Sequence, residues 1–155
     1  MSPYTLQRQQ WIDRPLTEVF GFFSDARNLE HITPPWIGFE ILSVSTAVLG
    51  EGTIIEYRLR MHGVSMRWKT HLCEWNPPHG FADIQASGPY KLWHHTHRFE
   101  SENGGTKMTD SLRYELPLGV LGRVVHKLKV RGDVARIFDY RAGRIAELFE
   151  QPERH

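Results

Sequence analysis

The sequence predicts an α+β protein, a curved seven-stranded antiparallel sheet wrapped around one long C-terminal helix. Three observations predict it. Short alternating runs, separated by Gly, Pro and Asn turn residues, fill residues 39–115 at hairpin spacing. Pro117 closes that region, and apolar residues then recur at helical spacing as far as residue 149. Between the first strand and the other six, residues 13–35 carry helical spacing and helix-stopping prolines, enough for two short helices.

The elements follow in order. Tyr4–Ile12 reads as an opening strand, with Tyr4, Leu6, Trp11 and Ile12 as its apolar members. Asp13 is placed to cap a helix whose first turn holds Pro15, where a missing N–H does no harm. Leu16, Val19, Phe20 and Phe23 continue it. Ser24 or Asp25 then caps a second helix, from about 26 to 32, stopped by Thr33-Pro34-Pro35. Strands are expected over 39–45, 53–61, 64–74, 81–85, 91–100 and 106–115. The last helix covers about 118–149, with Leu121, Val125, Leu128, Phe138 and Ile145 expected on its buried stripe and a bend expected at Gly132 or Gly143.

Composition bounds the function. The 155 residues fit one domain, residues 1–155, and a domain of that length buries roughly 68–70% of its unfolded surface. A net charge of +1 gives no global case for nucleic acid or an anionic membrane as partner. The single cysteine, Cys73, fits a reducing compartment. Met1-Ser2-Pro3-Tyr4 lacks the features of a secretion signal, and no apolar run approaches a membrane span. The expected location is therefore the cytoplasm. No Gly-rich phosphate loop, Cys-x-x-Cys pair or Gly-x-Ser-x-Gly elbow occurs, and no cofactor is expected. Five Trp, eight Phe and five Tyr either line a pocket or fill a solid core.

The chemistry concentrates in Gly88-Pro89-Tyr90-Lys91-Leu92-Trp93-His94-His95-Thr96-His97-Arg98-Phe99. Alternation puts Trp93, His95, His97 and Phe99 on one face and His94 and Arg98 on the other. Two imidazoles between large aromatics suit the wall of a cavity, since a buried polar ring needs a hydrogen-bond partner. With residues 102–105 as the hairpin loop, His97 falls opposite Asp110, His95 opposite Leu112, Trp93 opposite Tyr114 and Phe99 opposite Met108. A carboxylate there fixes the imidazole tautomer and raises its proton affinity. The His97–Asp110 pair is then a structural pair, an anchor for a ligand's polar group, or an acid–base couple. His95 and His97 stand two apart, a spacing metals use, but no third ligand is evident beside them, so no metal is expected.

Three segments resemble the START-like (SRPBCC, Bet v 1-like) superfamily, whose fold is the helix grip. They are Phe22-Phe23-Ser24-Asp25-Ala26 through Thr33-Pro34-Pro35, then Trp68 through Trp75-Asn76-Pro77-Pro78 to the histidine strand, and Gly104-Gly105-Thr106-Lys107-Met108-Thr109-Asp110 leading to Pro117. Together they are similar to bacterial ligand-binding SRPBCC domains of the cyclase/dehydrase-like group. The resemblance covers nearly the whole chain and implies a hydrophobic-ligand cavity; it implies no particular reaction, because one fold hosts many functions.

Other candidates follow from faces. Asp83 shares a face with Phe81 and Gln85, and the resemblance points that face into the cavity rather than to solvent. Tyr57, Trp68, Tyr90 and Tyr114 join the candidate wall. Cys73 shares a face with Lys69 and His71, away from the cavity and from any base, so it is no nucleophile. Arg123, His126, Lys127, Lys129 and Arg131 form a positive cluster, either a solvated helix face or a landing place for an anionic headgroup or membrane surface. Three functions remain: a binder of a small lipid-like or polyketide-like hydrophobe, a polyketide-type cyclase or dehydratase using His97 and Asp110, or an interaction protein with a collapsed cavity. A cavity and an anchor without a complete catalytic constellation favour the binder.

Overall fold

Alternating residues and tight turns build all seven strands of one antiparallel sheet. The computed structural model describes residues 3–150; Met1 and Ser2, used above against a secretion signal, lie outside them. The strands are β1 (Tyr4–Ile12), β2 (Glu40–Val44), β3 (Ile54–Met61), β4 (Val64–Asn76), β5 (Gly80–Ser87), β6 (Leu92–Glu102) and β7 (Gly105–Glu115). Their order across the sheet is β1-β7-β6-β5-β4-β3-β2. Two short helices, α1 (Leu16–Phe23) and α2 (Asn28–Ile32), cross between β1 and β2. The chain ends in α3 (Gly119–Val125), a π-helical segment (His126–Val130) and α4 (Arg131–Glu150), which run on without a break.

The β6–β7 register is the expected one, with His97 opposite Asp110, Trp93 opposite Tyr114 and Phe99 opposite Met108. The loop is tighter than expected. Glu102 pairs with Gly105, and only Asn103 and Gly104 turn, at φ 50° and 78°. Both angles are left-handed, which Asn-Gly tolerates and which matches the twist of a two-residue hairpin. The extra pair sits beyond Ser101–Thr106, so the register below it does not change.

The two short helices begin later than predicted. Arg14 N–H turns back to the Ile12 carbonyl, which leaves Asp13 in a bend and puts Pro15 at the N-cap of α1. Ser24 donates to the Phe20 carbonyl instead of capping forward, and Asp25 accepts from the Arg27 backbone and guanidinium. That local turn delays α2 to Asn28. Phe20 of α1 meets Trp75, Phe81 and Phe99 edge-on at 5.3–6.1 Å between ring centroids. Pairs of this geometry contribute about 0.5–1.5 kcal/mol each beyond area burial, and they anchor the closed end of the sheet.

The C-terminal helix needs the largest correction. It is one continuous helix, and Phe138 and Ile145 are buried as expected. Leu121, Val125 and Leu128 are instead 59%, 46% and 80% exposed. The irregularity lies in the π turn at His126–Val130, not at Gly132 or Gly143. An i→i+5 turn inserts one residue, about 100° of helix, so a stripe in phase with α4 points elsewhere in α3.

Candidate functional site

The site is assembled from three neighbouring strands and the helix above them. Alternation along β6 turns His95, His97 and Phe99 inward and leaves Arg98 exposed. On β5, Gly80 lets the strand lie close: a Cβ there would stand 2.5 Å from the His97 carbonyl oxygen. Phe81 then stacks on the His97 ring, 4.1 Å between centroids, and Asp83, paired across from His95, reaches His97. From above comes Arg141. It shares a face of α4 with Phe138 and Ile145, three and four residues away.

His97 is held between two carboxylates. Its Nε2 lies 3.0 Å from Asp83 Oδ2, and its Nδ1 lies 3.1 Å from Asp110 Oδ1. Asp110 Oδ1 also meets His95 Nε2 at 3.0 Å. Burial alone would pull His97 down, but the bonds to Asp110 and Asp83 outweigh it and raise its pKa above the usual value. Burial pushes His95 down to about 4, helped by the charge on His97. Burial would raise Asp110, yet the Arg141 charge and the two imidazoles hold it well below the usual carboxylate range. Asp83 is lowered too, its burial offset first by the bond from His97.

These directions favour the ionised form of Asp83 and Asp110, the protonated form of His97 and the neutral form of His95. With the Arg141 guanidinium, that arrangement balances negative against positive charge, as a cluster removed from water requires. Nε2 of His97 hydrogen-bonds Asp83, Nδ1 pairs with Asp110, and Arg141 Nη2 lies 3.5 Å from the same Nδ1. Arg141 Nε is buried with no hydrogen-bond partner among the described residues.

Asp83, His95 and His97 bring ligand atoms within 4.8 Å of one another. The third candidate metal ligand that the sequence did not reveal is therefore Asp83. Both His97 nitrogens already face carboxylates, Asp83 and Asp110, so a metal would have to displace the Asp83–His97 bond.

Around the cluster lies space. An inner cavity of about 160 Å³ is lined by Asp83, His95, His97 and Arg141 with Phe81, Phe138 and Leu72. An outer cleft of about 460 Å³ is lined by Leu59, Met61, Met66, Trp68, Tyr90 and Trp93 from the sheet and by Val130, Val134 and Ile137 from the helix. Thr33, Phe39, Tyr57, Trp93 and Ile137 wall both. The outer walls are mostly apolar, with His62, Lys129 and Asp133 among the residues that line them, and Trp68 Nε1 is buried without a partner among the described residues.

The predicted site residues divide accordingly. Tyr57 and Trp93 line both spaces, Trp68 and Tyr90 the outer one, and Asp83, His95 and His97 the inner one. Asp110 stands behind the two histidines. Phe99 and Tyr114 do not line the cavity. Phe99 packs with Phe20, Phe23 and Phe81, while Tyr114 bonds His126 Nε2 through its hydroxyl at 2.7 Å. His126 does not belong to a solvated cationic cluster: it is 6% exposed and stacked on Tyr4 at 3.4 Å. Cys73 is half-buried, its thiol pushed up first by burial, which fits its exclusion as a nucleophile. Arg141 was missed. Its signal was an arginine in phase with the apolar stripe of the helix.

A curved antiparallel sheet gripping a long helix over an apolar cavity is the architecture of the START-like class. A family model, Polyketide cyclase / dehydrase and lipid transport, matches residues 12–137, and the chain belongs to that family. Solved structures share the fold at low identity. Protein CV1439 from Chromobacterium violaceum has a TM-score of 0.75 at 12% identity, over 96% of this chain and 98% of its own. Protein Ms6760 from Mycobacterium smegmatis has a TM-score of 0.69 at 18% identity, covering 93% and 89%. The ginseng major latex-like protein 151 from Panax ginseng has a TM-score of 0.71 at 13% identity, covering 98% and 100%. Comparison with curated proteins returns no match. Among the described residues no helix is long and apolar enough to cross a membrane.

Proposed function

We propose that the protein binds a lipid-like or polyketide-like small molecule, with its hydrocarbon part in the outer cleft and its polar end at the inner charged cluster. One observation carries the reading: five residues wall both spaces, so the outer cleft adjoins the inner cavity that holds Asp83, His95, His97 and Arg141. Such pockets draw affinity from apolar burial and orientation from a few polar groups. The test compares decanoic acid, decanol and decane by native mass spectrometry and calorimetry. His97→Ala should weaken the acid and the alcohol about tenfold, on the order of one hydrogen bond to a charged group, and leave decane unchanged. Equal effects on all three ligands would remove the anchor role.

The His97 ring held between Asp83 and Asp110 supports a second reading as a polyketide-type cyclase or dehydratase. His97 would be the acid–base group, with Asp110 positioning it. Under that reading His97→Asn abolishes turnover of an aromatisable polyketide while binding stays near wild type; turnover surviving in the variant would exclude it.

A further inference from the structure

The outer cleft opens beside a surface that its walls do not explain. Residues 116–132 contain Arg123, Lys127, Lys129 and Arg131 but no Asp or Glu. In the same segment Leu118, Val120, Leu121, Val124, Val125 and Leu128 are 46–80% exposed. Positions 120, 124 and 128 and positions 121 and 125 are one helical turn apart, so these side chains form one stripe in solvent, and Lys127, Lys129 and Arg131 are exposed in the same segment. Val125, Lys129 and Val130 also line the cleft. Across the mouth, the β3–β4 turn contributes Met61, His62 and Val64, and Val64 is 59% exposed. His62 Nε2 meets Asp133 Oδ2 at 3.0 Å, tying the two lips together.

We propose that this face docks on an anionic lipid bilayer, setting the mouth of the cleft against the membrane surface. A helix with an apolar stripe and basic neighbours lies in the interfacial plane, with the stripe among the acyl chains and its cations at the headgroups. A second copy of the chain is the poorer occupant. A two-fold contact through this patch would set its cations against each other with no carboxylate in residues 116–132 to separate them. The docking is peripheral and does not depend on the cavity being loaded.

The test is co-sedimentation of the full chain with vesicles of phosphatidylcholine containing 30% phosphatidylglycerol, set against pure phosphatidylcholine. The expected result is binding to the anionic vesicles that weakens as salt is raised and is absent on the neutral ones. Replacing Lys127, Lys129 and Arg131 with Gln should weaken it about a hundredfold, from roughly fivefold per charge near the surface. Leu121→Ser with Leu128→Ser should abolish it at any salt concentration. All five side chains are exposed, so circular dichroism should show these variants folded; the salt titration of the wild type tests the proposal without them. No binding to anionic vesicles at low salt overturns it, as does binding that ignores salt. Soluble poly-glutamate binding as tightly as the vesicles would assign the face to an acidic chain. A dimer dispersed by the Leu121 and Leu128 changes would assign it to a second copy. Decanoic acid binding without vesicles reads the cavity separately, so loss of one reading is not mistaken for loss of the other.

Discussion

The two ends of the cleft obey opposite electrostatics. At the inner end the charges are buried or half-buried and matched: Asp110 meets both histidines, with Arg141 near, and Asp83 meets His97. At the mouth, Lys127, Lys129 and Arg131 are exposed beside exposed apolar residues, with no acid within residues 116–132. Charge taken out of water must be neutralised within the protein, so the inner cluster is constrained by stability. Charge left in water is screened and contributes little to the fold, so the mouth is free to serve a surface. Substitutions at the two ends should therefore differ in kind: inner ones destabilise, outer ones do not.

The largest effect is expected at Asp110. Asp110→Ala leaves His95, His97 and Arg141 buried around an absent carboxylate, a loss of about 3–5 kcal/mol for a broken buried pair. Urea denaturation measures it; a loss below about 1 kcal/mol would mean that the cluster rearranges to pair with Asp83 alone. Gly80→Ala should come next, at about 1–3 kcal/mol for overpacking against backbone. Its added Cβ meets the His97 carbonyl, so decanoic acid binding should fall along with the melting temperature. Lowered stability with unchanged acid binding would separate the strand contact from the site.

The pH profile reads His97 on its alkaline side and His95 on its acid side, where His126, also lowered first by burial, adds to the same limb. His97 is raised in the folded state, so its stabilisation is complete below the ordinary histidine value of 6.5 and is lost as pH rises through the folded value. His95 is lowered to about 4, so stability falls as pH drops from 6.5 towards 4, where the unfolded chain binds a proton that the folded chain refuses. Asp83 and Asp110, both lowered, lose their share only below 3.8. Stability should then peak near pH 6.5. His97→Gln should flatten the alkaline limb, and His95→Gln the limb between 6.5 and 4, with melting temperature against pH as the measurement. Unchanged limbs in both variants would show that other groups set the profile.

Much of this was legible in the sequence because it is set by local pairing. Period-two alternation turned His95 and His97 inward, and the Asn103-Gly104 hairpin put Asp110 opposite His97. Even the wrong loop length preserved that register. What was illegible depended on distance or helical phase. The Asp110 bond to His95 crosses the sheet diagonally, and Asp83 reaches His97 only because Gly80 lets β5 close on β6. Arg141 arrives from the far end of the chain. The exposure of Leu121, Val125 and Leu128 follows from a π turn, and a phase shift of one residue leaves no mark in an apolar count.

That phase shift gives the smallest expected effect and the sharpest contrast between the two ends. Leu128 lies in the π segment and is 80% exposed, although helical spacing marks it for the core. With the π turn in place, Leu128→Ala removes no core contact and should change stability by no more than about 0.5 kcal/mol, the usual range for surface sites. If an unbroken α-helix instead carries the stripe through Leu121, Val125 and Leu128 onto the sheet, the same change empties a buried site. The loss would then be about 2–5 kcal/mol. Chemical denaturation separates these outcomes without any ligand. A large loss would return residues 118–130 to the core, remove the apolar face at the mouth, and leave the buried charge cluster untouched.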